Sequence, residues 1–80
     1  PDPRSPATQL LGDELVPRRT QLGLSLEAAA PLCGMHWSFL GQIERGQRNI
    51  SLHNLLKVAD GLDIDPCELV RGLKPPPEVA

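Results

Sequence analysis

One stretch limits the fold of this chain more than any other. It runs Cys33-Gly34-Met35-His36-Trp37-Ser38-Phe39-Leu40-Gly41-Gln42-Ile43-Glu44-Arg45-Gly46, followed by Gln47-Arg48-Asn49-Ile50-Ser51. The spacing predicts a short amphipathic helix between two glycines. Leu40 and Ile43 fall on one face with Met35 just ahead, while Trp37, Ser38, Gly41, Gln42 and Arg45 fall on the other. Gly34 suits the left-handed conformation that ends a preceding helix, and Gly46 does the same for this one.

The rest of the chain supplies helices around that stretch. Pro1 to Ala7 has nothing to bury and reads as a disordered arm over residues 1–7. Thr8 suits the cap of a first helix running to Leu22 and stopping at Gly23, with Leu11, Leu15, Arg19 and Leu22 as its inner stripe. Pro17 lies off that stripe, and an interior proline predicts a kink or break near Val16, or a restart at Pro17. Ser25 caps a second helix with Ala29, Ala30 and Cys33 turned inward, and Pro31 on its outer side makes it short or irregular. Ser51 caps a fourth helix with an apolar stripe of Leu52, Leu55, Leu56, Ala59 and Leu62. Asp65-Pro66-Cys67-Glu68 is a strong start for a fifth helix over about Pro66 to Arg71, ending at Gly72. Residues 74–80 have polyproline character and read as a flexible tail. Helices without strands or internal repeats make an all-α bundle.

Composition narrows the class. Eighty residues make one small domain, and a chain this short buries only about 60–65% of its unfolded surface. Cys33 and Cys67 are too few and too far apart for a disulfide framework, so a reducing cytoplasm is the simpler setting. No apolar run approaches the ~20 residues of a membrane span. Pro1 in place of Met suggests trimming from something longer. The net charge of −2 counts against nucleic-acid binding, but its distribution softens the objection. Arg18, Arg19, Arg45 and Arg48 lie in the front half, whereas Asp60, Asp63, Asp65 and Glu68 crowd the back, so one face can be basic.

A short helix set off by a glycine turn, with a polar outer face, is what a helix-turn-helix presents to the major groove. The residues also carry a resemblance. Gly34-Met35-His36-x-Ser38-x-Leu40-x-x-Ile43-Glu44-x-Gly46, then Asn49-x-Ser51-Leu52, resembles the helix-turn-helix family of Cro and the phage repressors. The run from Ile43 to Leu52 is similar to small controller proteins of restriction–modification systems. The likeness covers about Leu11 to Val70. It implies a compact five-helix, lambda-repressor-like DNA-binding domain over residues 8–73, with the helix-turn-helix formed by the second and third helices. It also implies that Arg19 pairs with Glu44, and partly buried charges do need partners. In two respects the chain departs from the family: Leu26 stands where a phosphate-contacting Gln is common, and Pro31 interrupts the second helix on its outer side.

The candidate site follows from the groove geometry. Side chains near the start of the third helix reach base edges, namely His36, Trp37, Ser38, Gly41 and Gln42. Gln42 is the best direct reader, because an amide pairs bidentately with adenine. Gly41 would allow close approach, and Trp37 would meet a thymine methyl or fold back on the protein. Phosphate contacts fall to Arg45, Gln47, Arg48 and Asn49 after the helix, with hydroxyls from Ser25 and Thr20. Cys33-x-x-His36, with His53 and Cys67, contains zinc-ligand types without zinc spacing, so no metal and no cofactor is expected. Without a nucleophile–base pair, a phosphate loop or paired carboxylates, the chain does not read as an enzyme. One short helix reads few base pairs, so the expected partner is double-stranded DNA bound by a homodimer. The expected dimer surface is Leu62, Ile64, Cys67, Leu69, Val70 and Leu73. The reading is thus a sequence-specific transcriptional regulator on an inverted repeat. The alternatives are an interaction module that kept the fold but not the groove chemistry, or the DNA-binding part of a larger sensor.

Overall fold

The computed structural model describes residues 4–76, which form helices joined by turns with no strand. The helices are α1 (Pro6–Gln21), α2 (Leu26–Leu32), α3 (Trp37–Glu44), α4 (Leu52–Gly61) and α5 (Pro66–Val70). None is long and apolar enough to cross a membrane. The third helix is central: α3 packs on both α1 and α2, α4 packs on α2 and α5, and α5 returns to α1.

Local chemistry sets most of the helix starts. The hydroxyl oxygens of Ser25 and Ser51 accept from the backbone N–H groups of Ala28 and Asn54 at 3.1 Å each, and Asp65 accepts from Cys67 at 2.9 Å. The first helix begins earlier than Thr8. Ser5 is its cap, accepting from the Thr8 N–H at 3.2 Å, while the Thr8 hydroxyl oxygen accepts from the Ser5 N–H at 3.0 Å. Pro6 at the first helical position has no N–H to leave unbonded. Pro6 and Ala7, read as part of an arm, are therefore helical, and the Arg4 N–H donates to the Gly46 carbonyl at 2.8 Å. The remainder of the expected arm, residues 1–3, and the end of the expected tail, residues 77–80, lie outside the described residues.

The kink or break expected in α1 is not a break: the helix runs through Pro17 to Gln21. Tertiary anchors on the residues that follow hold it in line. Arg18 donates to the carbonyls of Leu62 and Asp63 at 2.8 and 2.7 Å, and Arg19 bonds to Glu44. Pro31 sits in the last turn of α2, which is short. Gly34 and Gly46 take positive φ after α2 and α3, and Asp63 does the same after α4 at φ 53°, a conformation Asp tolerates better than most residues.

The core consists of Leu11, Leu15, Ala29, Ala30, Cys33, Leu40, Ile43, Val58, Ala59, Leu62 and Leu69. Each fully buried leucine contributes about 1.5–3 kcal/mol of transfer free energy. Small residues bring backbones close. A Cβ on Gly12 would run into the Glu44 carbonyl oxygen and lie 2.7 Å from its carbonyl carbon, so α1 meets the end of α3 almost backbone to backbone. Two expected stripes are corrected by packing. Leu22 is exposed at the end of α1, beyond the reach of α3. Along α4 the buried residues are Val58 and Ala59, with Leu62 just after it, whereas Leu52 and Leu56 are 70% and 46% exposed. The apolar arc of α4 is wider than the surface that α2 and α5 offer it.

Candidate nucleic-acid interface

The site begins with how α3 is fixed. Leu40 and Ile43 are fully buried on its inner face. At its end, Glu44 is buried and receives a bidentate bond from Arg19, Nε to Oε2 at 2.6 Å and Nη2 to Oε1 at 3.0 Å. Arg19 also donates through Nη1 to the Leu24 carbonyl at 2.9 Å, so one guanidinium joins α1, the α1–α2 turn and α3. The hydrogen bond it donates to Glu44 holds the Arg19 pKa above its ordinary value despite the opposing effect of burial. A charge-assisted fork of this kind sets both the position and the rotation of a helix.

The start of α3 is fixed by His36. Its Nδ1 accepts from the Ser38 backbone N–H at 3.1 Å and lies 2.7 Å from the Ser38 hydroxyl. His36 is thus the cap of α3, engaged with the protein through Nδ1, and its Nε2 edge faces away from that bond. Trp37 is 48% exposed, its ring tilted against His36 with centroids 5.5 Å apart. It stands in solvent beside His36 and is not folded into the core.

The outer face differs from the expected one in a specific way. Gly41 is buried, not open: a Cβ there would lie 3.1 Å from Arg45 Nη1 and 3.5 Å from Leu26 Cδ1. Leu26 accordingly packs against α3 at the position where a phosphate contact would stand. Gln42 is half-buried, and its Oε1 accepts from Arg48 Nε at 2.7 Å. Arg48 in turn lies over the Phe39 ring, 5.4 Å from its centroid. Arg45 donates to Gln47 Oε1 at 3.4 Å. Arg45, Arg48 and Asn49 are exposed, and Gln47 is half-buried beside them. The two hydroxyl candidates are occupied in their own helices: Thr20 donates to the Val16 carbonyl at 2.8 Å, and Ser25 caps α2.

The structure therefore brings Ser38, Gln42, Arg45, Gln47 and Arg48 to α3 and the loop after it, and places Thr20 and Ser25 on other helices. Arg18, read with the basic front half, instead closes the end of α4 and lies 4.0 Å from Asp63, so it is not part of a basic face at α3. Two contributors escaped the sequence reading. Lys57 reaches the turn between α2 and α3, its Cε 3.0 Å from where a Cβ on Gly34 would be. Phe39 is the shelf for Arg48. Only the aromatic residue two turns ahead of a loop arginine could have hinted at this, and that signal is weak.

The remaining expected residues are distributed differently from their assignment. Leu62 and Leu69 belong to the core and are not available for a dimer surface. Cys67 and Val70 are exposed, and Ile64 and Leu73 are half-buried. Cys33 is buried, and burial pushes its thiol up, helped by the carboxylates of Glu44 and Asp60, so it is a poor ligand and nucleophile. Among the described residues no three His, Cys, Asp or Glu side chains gather to hold a metal ion.

Known proteins share the helical arrangement that carries this short helix. A family described as helix-turn-helix matches residues 18–69, from the end of α1 to α5. The chain belongs to this helix-turn-helix family. Among curated family members, the control protein C.BamHI of Bacillus amyloliquefaciens is 36% identical over 53 residues, covering 66% of this chain and 65% of that protein. The restriction–modification controller protein C.AhdI of Aeromonas hydrophila superposes with a TM-score of 0.74 at 50% identity, over 78% of this chain and 94% of that one. The P22 c2 repressor, solved in complex with a synthetic operator, superposes with a TM-score of 0.73 at 28% identity, over 80% of this chain and 97% of that one.

Proposed function

We propose that the chain is a sequence-specific DNA-binding transcriptional regulator, acting as a homodimer on an inverted repeat. The observation that carries this reading is α3 itself. It is a polar-faced helix held at one end by the Arg19–Glu44 fork and at the other by the His36 cap, with Ser38, Gln42, Arg45 and Arg48 turned outward. Similarity to the P22 c2 repressor, a protein solved on operator DNA, supports the same docking for α3. Ser38 and Gln42 then face base edges, and Arg45, Gln47 and Asn49 face the phosphates.

The dimer surface is the outer side of α4 and α5. Leu52, Leu55, Val70 and Leu73 line one cleft of about 310 Å³ there, and Leu56 and Ile64 line another beside Pro66. A second copy is the occupant that the reading requires, because two recognition helices must address half-sites roughly 34 Å apart. Both cysteines are free thiols, as suits a reducing cytoplasm.

Selection of bound duplexes from random DNA at two salt concentrations tests the proposal. The expected result is a symmetric consensus, with affinity falling as salt rises through release of counterions. No salt-dependent affinity for any duplex at low ionic strength would overturn it and leave the fold as an interaction module. Sedimentation showing only monomer at tens of micromolar would remove the dimer.

A further inference from the structure

Arg48 stands apart from the other loop cations. Its Nε is committed to Gln42 Oε1 at 2.7 Å, and its guanidinium lies over Phe39, which itself packs against the core. A planar cation on an aromatic face is held in orientation as well as position. The hydrogen bond it makes is charge-assisted. Gln42 is therefore oriented before any ligand arrives: its carbonyl oxygen is turned to Arg48, and its amide NH₂ is the end left without a bond to Arg48.

We propose that Arg48 is a positioning residue that converts Gln42 from an adenine reader into a donor that selects guanine. This inference rests on the DNA-binding reading. In the major groove adenine offers one acceptor, N7, and one donor, the N6 amino group, so a glutamine reads it only with both ends of its amide. Guanine offers two acceptors, N7 and O6, which an NH₂ group satisfies alone. With Arg48 on one lone pair of Oε1, the N6 donor of adenine must reach the other lone pair beside a cationic guanidinium, which has donors only. The same guanidinium is compatible with guanine O6. Arg48 and Gln42 together thus form a head of hydrogen-bond donors resting on Phe39.

The experiment uses the operator recovered by selection. The base pair whose preference Gln42→Ala erases is varied through all four possibilities, and binding of each duplex is measured by anisotropy at one salt concentration. The wild type is expected to favour guanine over adenine there by roughly 5- to 100-fold. Arg48→Ala is expected to erase or reverse that preference while the other positions keep theirs. Arg48→Lys retains the charge but not the planar group, so it keeps more of the overall affinity than alanine and still loses the guanine preference. A preference for adenine in the wild type would overturn the proposal. So would an equal loss on all four duplexes in Arg48→Ala, the behaviour of a plain phosphate contact. A wild type that binds no duplex would instead defeat the DNA-binding reading, and this inference with it. The two failures differ, because the first is seen only in a protein that binds.

Discussion

Gly12→Ala sets local helix preference against tertiary packing at one atom. Gly12 lies inside α1, where alanine is favoured by about 1 kcal/mol over glycine. Its neighbour across the interface is the Glu44 backbone, whose carbonyl carbon would be 2.7 Å from the new Cβ. Ordinary carbon contacts are about 3.5–4.0 Å, so α1 and α3 must part by roughly an ångström. A Cβ has no rotamer by which to escape, and Leu11, Leu15, Leu40 and Ile43 would lose contact together. Overpacking typically costs about 1–3 kcal/mol, and a backbone collision belongs at or above the top of that range. Net of propensity, we expect a loss of about 2 kcal/mol or more. For a domain of this size that lowers Tm by about 8–16 °C.

Gly41→Ala is the matching control. Its Cβ would meet only the ends of the Arg45 and Leu26 side chains, at 3.1 and 3.5 Å, which can move aside. There the propensity gain should dominate, leaving stability unchanged or raised by up to about 1 kcal/mol. Urea melts of both variants followed by far-ultraviolet circular dichroism would decide. A Gly12→Ala protein as stable as wild type would refute the backbone contact between α1 and α3.

Three further outcomes are expected. Arg19→Met or Glu44→Gln alone should cost about 3 kcal/mol by stranding the partner, whereas Arg19→Met with Glu44→Leu should cost less than either; urea melts of the three test this. Cys33 in the fold retains a proton that the unfolded chain releases, so stability should fall as pH rises beyond the ordinary thiol value of about 8.5. Cys33→Ala should flatten that alkaline decline, and in the wild type a thiol reagent should label exposed Cys67 at once but Cys33 only on unfolding. Leu52→Asp with Val70→Asp, both at exposed positions, should shift monomer stability by only about 0.5 kcal/mol each while abolishing any dimer in sedimentation.

Much of the architecture follows from short-range chemistry and was legible without coordinates. Ser25, Ser51 and Asp65 each cap a helix where a side-chain oxygen can reach a free N–H, and Gly34 and Gly46 end helices by taking positive φ. The inner positions Leu11, Leu15, Ala29, Ala30, Cys33, Leu40 and Ile43 come from helical period alone. The first cap was misplaced because Ser5 and Thr8 are both good caps, and only the reciprocal bonds between them choose.

Tertiary structure decided what period cannot. Period gives the apolar arc of α4, but the width of the surface facing it determines that Leu62 is core and Leu52 and Leu56 are not. A proline weakens α1 locally, yet Arg18 and Arg19 anchor the following turn to α4 and α3, contacts that no local rule contains. The site shows the same division. Sequence alone determined which side chains stand on the outer face of α3, because spacing along a helix sets direction. Which of their atoms are free to act depends on partners distant along the chain or rotated into reach. Leu26 closes over Gly41, and Arg48 takes the oxygen of Gln42, because these groups meet only once α2, α3 and the following loop are folded together.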